Sequence, residues 1–321
     1  MARSVGRRED DESLAIRAAW LHYAGGMTQA EVAERLGVSA VKAHRLVAWA
    51  NQNGAVKVTI DGDVVECLRL EDRLRDSFAL ATCEVVPDLM EDGLPLRALG
   101  VAGSAFLQRE LNSGRNGVIG VGHGRTLAAA VADLPRMEVG DVRFVSLQGV
   151  LTRNFAANPH DVIHRLAEKT GAEAYVLPVP FFANTAADRE VLLAQRGVAE
   201  VFGLASQADL LIVGVGTVDA DAQIVTSRMV DLNEIDGVRK RGGVGELLGH
   251  FFDGAGRPVE TSLSARTLSP DLGSLQGKRI VALAGGPGKV VALRAVLRAG
   301  HLHGLITDER TARAIAEIDP F

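Results

Sequence analysis

The sequence predicts an α/β protein: an N-terminal helix-turn-helix domain followed by a large Rossmann-like domain built on a mostly parallel sheet. Three observations carry this. From about Val85 onward, short apolar runs alternate with amphipathic helical stretches, the pattern of strands covered on both faces by crossover helices. Glycines cluster where such runs end, in "GVIGVGHGRT" (117–126) and "AGGPGK" (284–289). Residues 13–53 hold three helical segments with no strand between them.

Bulk composition narrows the function. The chain has 321 residues, 47% of them hydrophobic, enough for two domains with a sizeable core. Aromatics at 4% argue against a base-stacking platform for single strands. Two cysteines, Cys67 and Cys83, make no disulfide framework and suit a reducing cytoplasm. The charged N-terminal stretch lacks the apolar core of a signal peptide, and no apolar run is long enough to span a bilayer, so no membrane partner is expected. Net charge is −5, but residues 1–60 hold eight Lys/Arg against six Asp/Glu, +2, leaving −7 on the remainder. That sign suits a small DNA-facing end on an acidic body; chance scatter would also produce it.

A first helix runs from about Leu14 to Tyr23 and stops at Gly25-Gly26. Thr28 caps the second, with Glu31 completing a capping box; Ala30, Val32, Ala33 and Leu36 supply its inner face. Gly37 makes the turn and Ser39 caps the third helix, which carries Val41, Leu46, Val47 and Trp49 among Lys42, His44 and Arg45. This is the helix-turn-helix arrangement, in which the second helix would enter the major groove of double-stranded DNA. Ser39, Lys42, His44 and Arg45 are the candidate DNA contacts: Arg45 can grip guanine bidentately, while Lys42 and Ser39 can equally bind phosphate. A three-helix bundle used for packing is the alternative. "AVKVTI" (55–60) reads as a short strand. Residues 61–84 read as a connecting helix at a dimer interface, or as a surface helix of the large domain. Domains are thus 1–60, 61–84 and 85–321.

In the body, the glycine-rich strand ends offer free N–H groups and positive helix ends to phosphate or hydroxyls. Gly120, Gly122 and Gly124 are spaced GxGxG, not the dinucleotide GxGxxG. "AGGPGKVV" lacks the first glycine and the Ser/Thr of a phosphate-binding P-loop. "VGELLGHF" (244–251) is read as helical, with Glu246 and His250 one turn apart, but without the HExxH spacing of a zinc site. No cofactor, metal or catalytic set can be assigned.

In nearly its whole length the chain resembles the SorC family of bacterial sugar-responsive transcription regulators. The resemblance is carried by "MTQAEVAERLGVSAVKAHRLV", "LEDRLRDSF", "VIGVGHGRTL", "LPVPFFA", "LLIVGVGTVD", "VGELLGHFFDGAGRPV" and the run from "RIVALAGGPGK" to "LITDERTA". Within the family it is similar to regulators of erythritol catabolism in "GVLTRNFAANPHDV" (149–162) and "PVPFFANTA". The resemblance implies a DNA-binding regulator, not an enzyme, whose effector domain is similar in fold to sugar-phosphate isomerases and deaminases. It implies a small polyol or sugar-phosphate effector and self-association as dimer or tetramer. Carried onto this sequence, the effector contacts are Gly122, His123, Gly124, Arg125, Thr126, Arg153, Glu246 and Lys289. Many family members have an aromatic residue where His123 stands. The competing expectation is an isomerase- or deaminase-like enzyme with a DNA-binding head, using Glu246, Asp219 and His250 as acid or base.

Overall fold

The computed structural model describes residues 3–56, 65–150 and 162–318, with side chains from residue 12 to residue 317. Arg153, the turn at 61–63 and most of the strand expected at 55–60 lie outside the described residues. The chain divides into two compact units between Asp63 and Val64.

The smaller unit consists of α1 (Arg3–Tyr23), α2 (Gln29–Leu36) and α3 (Ala40–Gln52). Thr28 Oγ1 accepts the Glu31 N–H at 3.3 Å while the Glu31 carboxylate accepts the Thr28 N–H at 2.7 Å. Two backbone donors at the start of α2 are thereby satisfied. Gly37 ends the helix at φ 63°, and Ser39 Oγ accepts the Lys42 N–H at 3.2 Å to start α3. The core is small-residue packing: Ala15, Ala18 and Ala19 meet Val32, Ala33, Ala43, Leu46, Val47 and Ala50. On α3 the buried positions follow the i, i+3, i+4, i+7 stripe of a helix. Val41 and Trp49 lie off that stripe and are exposed, as is Ala30, expected on the inner face of α2.

The larger unit contains α4 (Val65–Phe78), β1 (Thr82–Val86), α5 (Leu96–Asn112), β2 (Val118–Val121), α6 (Arg125–Asp133), β3 (Arg143–Ser146), α7 (Val162–Thr170), β4 (Glu173–Tyr175), α8 (Ala186–Leu193), α9 (Arg196–Ser206), β5 (Leu210–Val213), β6 (Gly216–Thr217), α10 (Gln223–Thr226), α11 (Leu232–Lys240), β7 (Gly243–Leu247), β8 (His250–Asp253), α12 (Leu272–Leu275), β9 (Ile280–Leu283), α13 (Val290–Arg298), β10 (Gly304–Asp308) and α14 (Glu309–Ile318). Seven strands pair in parallel in the order β1-β10-β9-β5-β2-β3-β4. Alternate residues of each strand enter opposite layers. Leu211, Val213, Ile280 and Ala282 pack with α4, α13 and α14. Leu210, Ile212, Val281 and Leu283 pack with α5, α6 and α7. Chain order runs one way from β2 and the other way from β5, so the topology reverses between these two neighbours. Ligands bind outside the carboxyl ends of strands at such a point.

Two expectations change and an open one is decided. Within the segment expected as a connecting helix, α4 (Val65–Phe78) buries Cys67, Leu70 and Leu74 in the core of the larger unit, as the large-domain alternative has it. The stretch "DREVLLAQRGVAEVFGLASQ" (188–207), which reads as one helix in the sequence, is two, α8 and α9, separated at Ala194-Gln195. "VGELLGHFFD" is a β-hairpin rather than a helix, and β6, β7 and β8 form a separate antiparallel sheet. Its apolar residues fit either period, but Leu248 (φ 50°) and Gly249 (φ 81°) form a two-residue left-handed turn between paired Leu247 and His250. That turn matches strand twist and stops a helix. Among the described residues no helix is long and apolar enough to cross a membrane.

Candidate functional site

An open cleft lies at the reversal of strand order, the place where ligands bind in such sheets. Its floor is the loop after β2. The Gly122 N–H donates to the Ile212 carbonyl at 2.9 Å, extending the β2–β5 pairing by one step. Gly124 then turns the chain into α6 at φ 139°, ψ 162°, a conformation open to glycine alone at low cost. Gly124 has no side chain to cap α6, so the positive end of that helix faces the cleft. His123, Arg125 and Thr126 line the cleft; Thr126 is buried and Arg125 is exposed.

The loop after β5 and strand β6 supply Gly214, Val215, Gly216 and Thr217. Lys289, after β9, reaches in and donates to the Val215 carbonyl at 2.7 Å. Glu246 comes from β7, opposite Gly216, and is buried at 8% exposure. Its carboxylate accepts the Gly249 N–H and lies flat on Gly216, where a Cβ would stand 2.0 Å from Oε2. Burial pushes the Glu246 carboxyl above its ordinary range, opposed by the Gly249 N–H and by Lys289. Burial, then the Arg125 guanidinium, lowers the Lys289 ammonium to about 8, with Glu246 pulling the other way.

The structure thus brings Gly124, His123, Arg125, Thr126, Glu246 and Lys289 to one cleft, with Gly122 beneath. Arg153 lies outside the described residues. Glu246 and His250, expected one helical turn apart, stand on adjacent strands. His250 does not line the cleft: its Nε2 donates to the Pro270 carbonyl at 2.8 Å. Asp219 is exposed beyond β6 and also lies off the cleft. The three acid–base candidates of the enzymatic alternative are therefore not assembled. Gln148, Phe181, Gln223 and Leu248 complete the lining, and sequence reasoning did not single them out. For Gln148 a signal exists: it is a polar residue at the carboxyl end of the β3 run, where ligands bind. No local signal marks Gln223, which arrives on α10.

In the smaller unit, the outward face of α3 at 100° per residue centres on Val41, Arg45 and Ala48, flanked by His44 and Lys42. Val41, Lys42, His44 and Arg45 are exposed. His44 Nδ1 lies 3.0 Å from Gln29 Oε1, which ties α3 to α2. Ser39 uses its oxygen to cap α3, and its hydroxyl proton is still available for donation.

A parallel α/β domain with a polar cleft at its topological switch, carried with a helix-turn-helix, defines a ligand-responsive transcription regulator. The chain belongs to the family described as "Putative sugar-binding domain", whose model matches residues 62–317, and with it to the SorC-type regulators. It is 62% identical over 305 residues to the erythritol catabolism regulatory protein EryD of Brucella abortus, covering 95% of this chain and 96% of that one. It is 32% identical over 320 residues to the transcriptional regulator LsrR of Klebsiella pneumoniae, covering 98% and 95%. The full-length sorbitol operon regulator SorC of Klebsiella pneumoniae superposes with a TM-score of 0.70 at 25% identity, over 96% of this chain and 99% of that one. The chain is a DNA-binding transcription regulator with a sugar-type effector domain, not an enzyme.

Proposed function

We propose that this chain is a cytoplasmic regulator of a tetritol catabolic operon, its operator affinity set by erythritol or an erythritol phosphate held in the cleft between the β2 and β5 ends. The observation that carries the reading is the mixture of groups converging there. Glu246 accepts hydrogen bonds from hydroxyls, Gln148, Gln223 and Thr126 both donate and accept, and Arg125 and Lys289 are cationic. A hydrophobic wall of Phe181 and Leu248 completes the enclosure. Arg153 joins the set on the family motif. The 62% identity to a protein named for erythritol catabolism supports the tetritol.

In this reading residues 1–60 hold the operator through Ser39, Lys42, His44 and Arg45. The chain acts as a dimer or tetramer, because two recognition helices must match the spacing of two half-sites. The effector regulates only by binding one arrangement of those helices better than another. A thermal-shift panel of erythritol, longer polyols and their phosphates, with and without operator DNA, tests this. One short polyol or its phosphate raises the melting temperature and changes operator affinity, and Lys289→Met costs a phosphorylated effector far more than a neutral polyol. A flat panel refutes the reading.

A further inference from the structure

The outward face of α3 carries an apolar residue at its centre. Val41 is 71% exposed, although the buried stripe of the same helix is filled by Ala43, Leu46, Val47 and Ala50. Isolated exposed valines are common, so exposure alone says little. Position adds the information. Val41 lies in the first turn of α3, on the same face as Arg45 one turn later and Ala48 beyond it. Lys42 and His44 stand on the flanks. The centre of this face thus presents one guanidinium between two short apolar side chains. A β-branched side chain also has few rotamers to lose on ordering.

We infer that Val41 is a base-reading residue whose methyl groups pack on the C5-methyl of a thymine in the operator half-site. The inference rests on α3 being the helix that enters the major groove. In that groove thymine alone of the four bases displays a methyl group, and an apolar side chain reads it without a hydrogen bond. Four residues along a helix span about 6 Å, and successive base pairs rise about 3.4 Å. The thymine therefore falls about one to three base pairs from the guanine that Arg45 grips. Lys42 and Ser39 are left to the phosphates, which fix register and carry no sequence information.

The test uses the full-length chain and a duplex it selects from random sequence. Each thymine of the half-site is replaced in turn by deoxyuridine, which differs only by the missing methyl. For the wild type, one replacement within about three base pairs of the Arg45-dependent guanine weakens binding roughly three- to tenfold, and the others leave it within about twofold. Val41→Ala binds the thymine and deoxyuridine duplexes equally, and Val41→Ser selects a motif that has lost that thymine. Melting temperature and helical circular dichroism establish that both variants are folded, as substitution at an exposed site should allow. The inference is overturned if no thymine shows the effect, if Val41→Ala keeps the full deoxyuridine penalty, or if it weakens both duplexes alike. Failure of the underlying reading looks different: the wild type then selects no motif, or Arg45→Ala leaves binding unchanged.

Discussion

Binding of a phosphorylated effector should draw protons onto the protein near pH 8. Lys289 is the reason: burial and Arg125 hold its ammonium at about 8, far below the ordinary lysine value of about 10.4. At pH 8 the free protein therefore carries about half a proton on Lys289. An effector phosphate, whose second pKa is about 6, is a dianion at this pH and brings no proton change of its own. Its charge beside Lys289 restores the ammonium, so binding takes up about half a proton at pH 8, whereas at pH 6.5 Lys289 is already charged and contributes almost no uptake. Above pH 8 the affinity falls by up to about tenfold per unit until the pKa of the complex is reached. Calorimetry with erythritol phosphate in buffers of different ionisation enthalpy reads this uptake directly. Glu246→Gln removes the carboxylate that pulls the Lys289 ammonium upward, so it should lower that pKa further and increase the uptake at pH 8. Lys289→Met should abolish both the uptake and most of the affinity. An effector whose binding needs Lys289 but whose heat is the same in every buffer at pH 8 refutes the argument. The same shift has a consequence for the free protein. Between about 8 and about 10.4 the unfolded chain binds more protons at this site than the folded one. The contribution of Lys289 to stability therefore rises with pH across that window.

Arg45→Ala should weaken operator binding by about 1–3 kcal/mol and leave the effector-induced melting shift intact; loss of both in a folded protein would show that the two functions are not carried by separate units. Gly216→Ala places a Cβ 2.0 Å from Glu246 Oε2, so the carboxylate must leave its seat. We expect a loss of about 1–3 kcal/mol in urea denaturation together with weaker effector binding, and unchanged values in both measurements would contradict the packing described. Thr28→Ala removes one half of the capping box and should lower the stability of the head by about 1 kcal/mol, detected as earlier loss of operator binding on heating, with effector affinity unchanged.

Much of the body was legible because its signals are local. Runs such as "LLIVGVG" cannot be solvated and are too short for buried helices, and Gly37 and Gly124 stand where backbone turns need them. The hairpin of β7 and β8 was misread for the converse reason. Val244, Leu247, Leu248, Phe251 and Phe252 satisfy a helical period as well as a strand pair, and only the turn at Leu248-Gly249 separates the two. That one misreading also put Glu246 and His250 on a common helix face. In the structure one carboxylate enters the cleft and the imidazole is tied to Pro270. Likewise "VVECLRLEDRL" has an apolar stripe that any surface could cover, and only packing against β1 and α14 makes α4 part of the body.

What the sequence determined by itself is therefore the inventory: a capped helix-turn-helix, an alternating α/β body, and glycine loops at strand ends. These depend on backbone conformations and hydrophobic periods that neighbours along the chain impose. Tertiary structure decided which loops meet. Strand order places the β2 loop beside the β5 loop although about 90 residues lie between them, and a separate hairpin delivers Glu246 against Gly216. It also decided that Val41 faces outward while Ala43 faces in, because residues two apart on a helix differ by 200° and only the packing partner shows which side is core. The proximity of Lys289 to Arg125 and Glu246, and with it the lowered pKa, exists only once those separate segments are folded together.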